Sequence, residues 1–98
     1  MASRTQLTEA RLAEAVRGLA GWAVENGRLK KEFRFKDFSA AWGFMCRAAL
    51  AAEAMNHHPL WTNVYNRVTV ELWTHDAGGI TEMDVELAGK MEGLGVRD

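Results

Sequence analysis

A chain of 98 residues that is 48% apolar and 26% charged, with a formal net charge of -1, suits one globular domain over 1–98 and is too short for a second core. The balanced charge argues against nucleic acid or an anionic membrane as partner, and a single cysteine excludes an internal disulfide. No signal-peptide core opens the chain and no uncharged apolar run approaches the roughly 20 residues of a membrane span, so the expected location is the cytoplasm.

The first predicted element is a helix capped by Thr8, with Leu7 and Leu12 at the spacing of a hydrophobic staple. Leu12, Val16, Leu19, Ala20 and Ala23 recur at helical intervals and predict its buried face, weakened towards the end by Gly18 and Gly21. "WAVENGRLKKEFRF" then switches to a period of two around Asn26-Gly27, a hairpin signal. Leu29, Lys31, Phe33 and Phe35 would share one face, with Lys30, Glu32 and Arg34 on the other.

Asp37 is predicted to cap a second helix through "FSAAWGFMCRAALAAEAMN", in which only Arg47 and Glu53 are charged. A helix apolar nearly all round needs cover on more than one side, and one sheet face supplies only one. The economical cover for the remainder is a second copy of the chain, so the 38–56 helix predicts a homo-oligomer; the alternative is a helix wrapped within the monomer. Cys46, in the middle of this helix, reads as a buried thiol packing like a small apolar residue.

Past Pro59, "LWTNVYNRVTVELWT" sets Val68, Val70 and Leu72 against Arg67, Thr69, Glu71 and Trp73, the pattern of a half-buried strand. Asn66-Arg67 reads as a turn after an edge strand over 61–65, with one long strand as the alternative. "HDAGGIT" is a loop whose glycines permit positive φ. Thr81 and Asp84 then resemble a capping box with Asp in place of Glu, Ile80 and Val85 have staple spacing, and Val85, Leu87, Ala88, Met91 and Leu94 supply the stripe of a last helix. The order α-β-β-α-β-β-α predicts an α+β fold, a four-stranded antiparallel sheet with the helices packed on one face.

Chemistry concentrates in "EAMNHHPLW". His57 and His58 follow the central helix, whose partial negative end favours an imidazolium, and Pro59 biases His58 towards extended backbone, so the two rings need not point the same way. His75 ends the last strand, at another chain junction. Imidazoles move protons near neutral pH, so the three could serve one site; equally, the paired histidines could decorate an exposed helix end. Spacing alone leaves both readings open. Zinc is disfavoured, because neighbouring residues rarely reach one ion and neither a second cysteine nor a His-x-x-x-His pair is present. Glu53, four residues before His57, could orient that ring or cap an exposed face; Asp76 and Asp84 carry the same two readings, and Trp22 could wall a ligand or belong to the core.

"FKDFSAAWGFM", "HHPLWTNVYNRV" and "THDAGGITEMD", in this order and at these intervals, resemble the pterin-4a-carbinolamine dehydratase family, the similarity running from about Gly21 to about Met91. The resemblance implies dehydration of 4a-hydroxytetrahydropterin to quinonoid dihydropterin and water, a lyase reaction that recycles the pterin of aromatic amino acid hydroxylases and so links the chain to such an enzyme. The pterin would be the substrate, with no cofactor and no metal. It implies homodimers or homotetramers packed through the central helices. It marks His57, His58 and His75 as catalytic, with His57 and His75 as acid and base in either order and His58 chiefly orienting the substrate. Asn56, Trp73, Thr74 and Asp76 become pocket neighbours with Glu53 behind them, Glu53 and Asp76 helping to hold the imidazole tautomers.

Three positions depart from the family pattern: Leu60 where an acidic residue is frequent, Met83 where a polar residue starts the last helix, and Asn56 where aspartate is usual. They imply an altered polarity at the pocket rim with activity retained. Some members of the family act as a dimerisation cofactor of a homeodomain transcription factor through the same helix, so the alternative function is a non-catalytic binding or assembly module.

Overall fold

The computed structural model describes residues 3–95. Its elements, in order, are α1 (Glu9–Arg17), β1 (Ala23–Glu25), β2 (Arg28–Arg34), α2 (Phe38–Met55), β3 (Leu60–Val64), β4 (Arg67–Leu72) and α3 (Glu82–Gly95), with one 3-10 turn at His75–Ala77. The strands form an antiparallel sheet in the order β1-β2-β4-β3, which is the predicted α+β architecture.

α1 is shorter than predicted. The Thr8 hydroxyl caps it by accepting from Arg11 N, but it stops at Arg17, with Gly18 as its C-cap. Gly21 then takes a φ of 80°, open mainly to glycine, and carries the chain out of the helix. Leu19 is buried beyond the helix end, whereas Ala20 is exposed and Ala23 already belongs to β1. The hairpin follows as expected: Asn26 and Gly27 have φ of 53° and 74°, the pair of positive values a type I′ turn requires.

On the helix-facing side of the sheet, Leu29 is opposite Leu72 and Phe33 opposite Val68, and all four are buried. Lys31 shares that face, where its ammonium donates to Ala20 O at 2.8 Å and pairs with Glu92 of α3. Glu92 also accepts from Trp22 Nε1 at 2.9 Å, and the Trp22 ring meets Phe33 edge-on in the core, so Trp22 is not a wall for ligand. The second hairpin reverses at Tyr65-Asn66, one residue earlier than predicted. Asn63 Nδ2 bonds the carbonyls of Tyr65 and Arg67, and Asn66 Nδ2 reaches Phe35 O, which together fix that register.

Asp37 caps α2 by accepting from Ala40 N at 2.8 Å. Ala41, Phe44, Ala48, Ala52 and Met55 form its buried stripe, and Phe44 lies between the rings of Phe33 (4.6 Å) and Phe35 (5.1 Å). The opposite side of α2 is uncovered: Phe38, Trp42 and Leu50 are 50%, 55% and 74% exposed. Cys46 lies between them on this side and is exposed rather than buried as predicted, because a helix apolar all round gives no sign of which side the sheet will take. Met83 differs in the other direction. It is buried against Leu87 and Met91 in the core and does not reach the rim of a pocket, so the polarity expected to change there is untouched by it.

Among the described residues, no helix is long and apolar enough to cross a membrane.

Candidate active site

The site begins where α2 ends. Asn56 adopts φ 52°, ψ 44°, a left-handed conformation that asparagine tolerates better than most residues. Its N–H bonds Glu53 O and the His57 N–H bonds Ala52 O, both at 3.0 Å, so the last turn closes as a Schellman motif. That geometry turns His57 back under the helix, where it is 6% exposed, while His58 remains exposed on the far side. The adjacent imidazoles therefore diverge.

His57 is held by a buried carboxylate. Its Nε2 lies 2.5 Å from Asp84 Oδ1, and Asp84 is completely buried in the first turn of α3. The other oxygen, Oδ2, accepts from Thr81 N at 2.9 Å and from Thr74 Oγ1 at 3.0 Å. Because the single Thr74 hydroxyl proton is used on Asp84, the 2.7 Å contact between Thr74 and Thr81 must be a donation from Thr81. Thr81 Oγ1 accepts in turn from Met83 N at 3.2 Å, completing the predicted capping box with Asp as its acidic member. A carboxylate accepting three hydrogen bonds is satisfied in spite of burial, and it fixes the His57 proton on Nε2, leaving Nδ1 as the nitrogen able to take or give a proton.

His75 arrives from the opposite direction. Thr74 follows the end of β4, its N–H bonding Gly79 O at 2.9 Å, and the 3-10 turn starting at His75 ends on Gly78 at φ 75°. This short closed loop presents His75 and Asp76 to the same space that His57 and His58 border. The cavity has a volume of about 220 Å³ and is lined by Asn56, Trp73, Thr74 and Asp76 besides the three histidines. It is smaller than the roughly 300–1,000 Å³ of pockets for drug-sized ligands and suits a small bicyclic ring. Trp73 forms a stiffened part of the wall, since the Arg28 guanidinium lies 3.8 Å above its ring and is tied to Glu71 at 3.1 Å.

Seven of the eight site residues predicted from the sequence line this cavity. The eighth, Glu53, stands behind it, but on a different ring from the one expected: its Oε1 is 2.8 Å from His58 Nε2, and both side chains are exposed. Helical spacing pointed Glu53 at His57, and the left-handed Asn56 rotates His58 into that place instead. The carboxylate on His57 is Asp84, for which the sequence left open both orienting a ring and capping a helix; it does both. Arg4 also lines the cavity and was missed, having no motif around it. Among the described residues, no group of three or more His, Cys, Asp or Glu side chains is placed to hold a metal ion.

The model of the family described as pterin 4 alpha carbinolamine dehydratase matches residues 5–94. A Solibacter usitatus protein assigned as a pterin-4-alpha-carbinolamine dehydratase is 56% identical over 90 residues, covering 92% of this chain and 95% of that one. A Synechococcus protein with the same assignment is 59% identical over 76 residues, covering 78% and 82%. The crystal structure of a Brucella melitensis protein described as a transcriptional coactivator/pterin dehydratase superposes with a TM-score of 0.90 at 49% identity, covering 93% of this chain and 99% of that one. A family match over nearly the whole chain, with relatives above half identity along most of their own length, leaves one conclusion: the chain belongs to the pterin 4 alpha carbinolamine dehydratase family.

Proposed function

We propose that the protein dehydrates 4a-hydroxytetrahydropterin to quinonoid dihydropterin and water, with its histidines as general acid and base. The observation that carries this reading is the pairing, across one small cavity, of a buried His57 oriented by Asp84 with a solvent-exposed His75 from a separate segment. In the reaction the C4a–O bond breaks, the departing hydroxyl takes a proton, and the N5–H proton leaves as the nitrogen electrons form the C4a=N5 bond. His57 is the base at N5, because Asp84 holds its Nε2–H and stabilises the imidazolium formed when Nδ1 takes the proton. His75 donates to the hydroxyl. Exposure to water lets it recover its proton after each turnover. His58, braced by Glu53, and the stiff Trp73 wall orient the ring. The pterin is the substrate, and side chains carry both proton transfers. Recycling of a hydroxylase's pterin in the cytoplasm is the setting in which this reaction would serve.

The test is turnover of the carbinolamine by purified variants. His57→Ala and His75→Ala should each lower kcat on the order of 10²-fold or more, the low end of what a positioned proton-transfer group supplies, with circular dichroism unchanged. Wild-type rates in either variant would overturn the assignment.

The uncovered side of α2 supports a homo-oligomer, dimer or tetramer, built by packing Phe38, Trp42 and Leu50 against a second copy. Leu50→Glu would set a charge in that contact and should reduce the mass seen in sedimentation equilibrium; an unchanged mass would rule this side out. A coactivator role, as named for the Brucella melitensis relative, would use the same surface without the histidines. The ordered Asp84–His57 pair favours the enzyme, since assembly alone gives no reason to bury a proton-transfer group.

A further inference from the structure

The segment before α1 is fastened to the start of α3. Leu7 N donates to Ile80 O at 2.9 Å, Gln6 bridges Thr81 in antiparallel fashion, and the Arg11 guanidinium grips both oxygens of Glu82 at 2.6 and 3.0 Å. Gly79 makes room for it, because a Cβ there would lie 2.8 Å from Gln6 Nε2. The fastening falls beside Thr81, a neighbour of Asp84 in the network that holds His57. From this anchor the chain reaches back to α2, where Arg4 Nη2 donates to Asn56 O at 3.0 Å, at the turn that aims His57. Arg4 is thus held to the lining of the cavity by its bond to Asn56, with the chain that follows it anchored at α3. It brings the only permanently cationic side chain of that lining among the described residues.

We propose that Arg4 is a substrate-binding residue of this site, donating to an oxygen of the bound pterin; the inference rests on the dehydratase reading above. A guanidinium carries five N–H donors and the Asn56 carbonyl uses one, so the exposed side chain has others that can exchange water for an acceptor on a ligand in the cavity. The substrate offers oxygens on both flanks of its reacting edge. The C4 carbonyl adjoins C4a, and the C6 substituent, which can bear hydroxyls, adjoins N5. A donor beside the histidines that act at C4a and N5 meets one or the other.

The experiment compares wild type, Arg4→Ala and Arg4→Lys in two measurements. The first is the Kd of a non-reacting dihydropterin by fluorescence titration; the second is kcat and KM for carbinolamines with a 6-methyl or a 6-dihydroxypropyl group. Arg4→Ala should raise Kd and KM about tenfold, as for loss of one charge-assisted hydrogen bond, with kcat within about twofold of wild type. Arg4→Lys should restore part of the loss. A rise with both substrates assigns the ring carbonyl, and a rise with the dihydroxypropyl substrate alone assigns the side-chain hydroxyls. Unchanged Kd and KM would overturn the proposal, as would a fall in kcat with both intact, which would mean that Arg4 acts only by holding the His57 turn. Wild-type protein that binds dihydropterin without dehydrating the carbinolamine would overturn the dehydratase reading instead, leaving the Kd comparison to judge Arg4.

Discussion

Replacing Asp84 by alanine is expected to cost the protein stability and turnover together. The carboxylate is fully buried and satisfies three donors at once, the His57 ring, the Thr74 hydroxyl and the Thr81 N–H. Its removal leaves all three without their acceptor in a place water does not reach. A buried donor left without its acceptor costs about 1–3 kcal/mol, and three are stranded at once, against a total stability on the order of 5–15 kcal/mol for a domain. Urea unfolding should therefore show a sharply lower midpoint. Asp84→Asn separates the two effects. It keeps the volume and most of the cap, so much of the stability should return, but a neutral amide stabilises no imidazolium and can turn its NH₂ towards Nε2. Turnover in Asp84→Asn should stay on the order of 10²-fold below wild type. An asparagine variant with wild-type kcat would show that the carboxylate is only a helix cap.

Phe44→Ala should cost about 3–5 kcal/mol without touching the chemistry. Phe44 is fully buried on α2 and in ring contact with Phe33 and Phe35, so it joins the central helix to β2 and to the residue just beyond it. Neighbouring side chains are themselves packed and can fill little of the space a ring leaves. Phe44 is absent from the cavity lining, so kcat per folded molecule should be that of wild type. A loss below about 2 kcal/mol in urea titration would mean that the site collapses around alanine, and that the three rings are less interlocked than their distances suggest.

The fold was legible wherever local chemistry decided it. Thr8, Asp37 and Thr81 each precede an apolar periodic run and each caps a helix; Asn26-Gly27 sets a type I′ turn. Judgement failed where tertiary context decided. Ala20 and Ala23 kept a helical rhythm that Gly18 and Gly21 overrode, and Cys46 could be assigned no side on a helix with apolar residues all round. The composition of the cavity was also readable, since the resemblance to the family implied seven of its residues, which spacing alone had left open. Its wiring was not. Which carboxylate meets which imidazole depends on a left-handed residue between Glu53 and His58 and on a contact from α2 to α3 that joins residues 27 positions apart. Arg4 lay outside every pattern, because a residue in irregular chain is placed by anchors far from it in sequence.

The left-handed link at Asn56 makes inside and outside depend on parity. Of two consecutive rings, one is dry and wired to α3, the other wet and wired back to α2, and the chain between them offers no slack. Inserting or deleting a single residue between Met55 and Pro59 would exchange their stations, burying the ring that lacks an internal acceptor and stranding Asp84. Length there is as strictly determined as residue type.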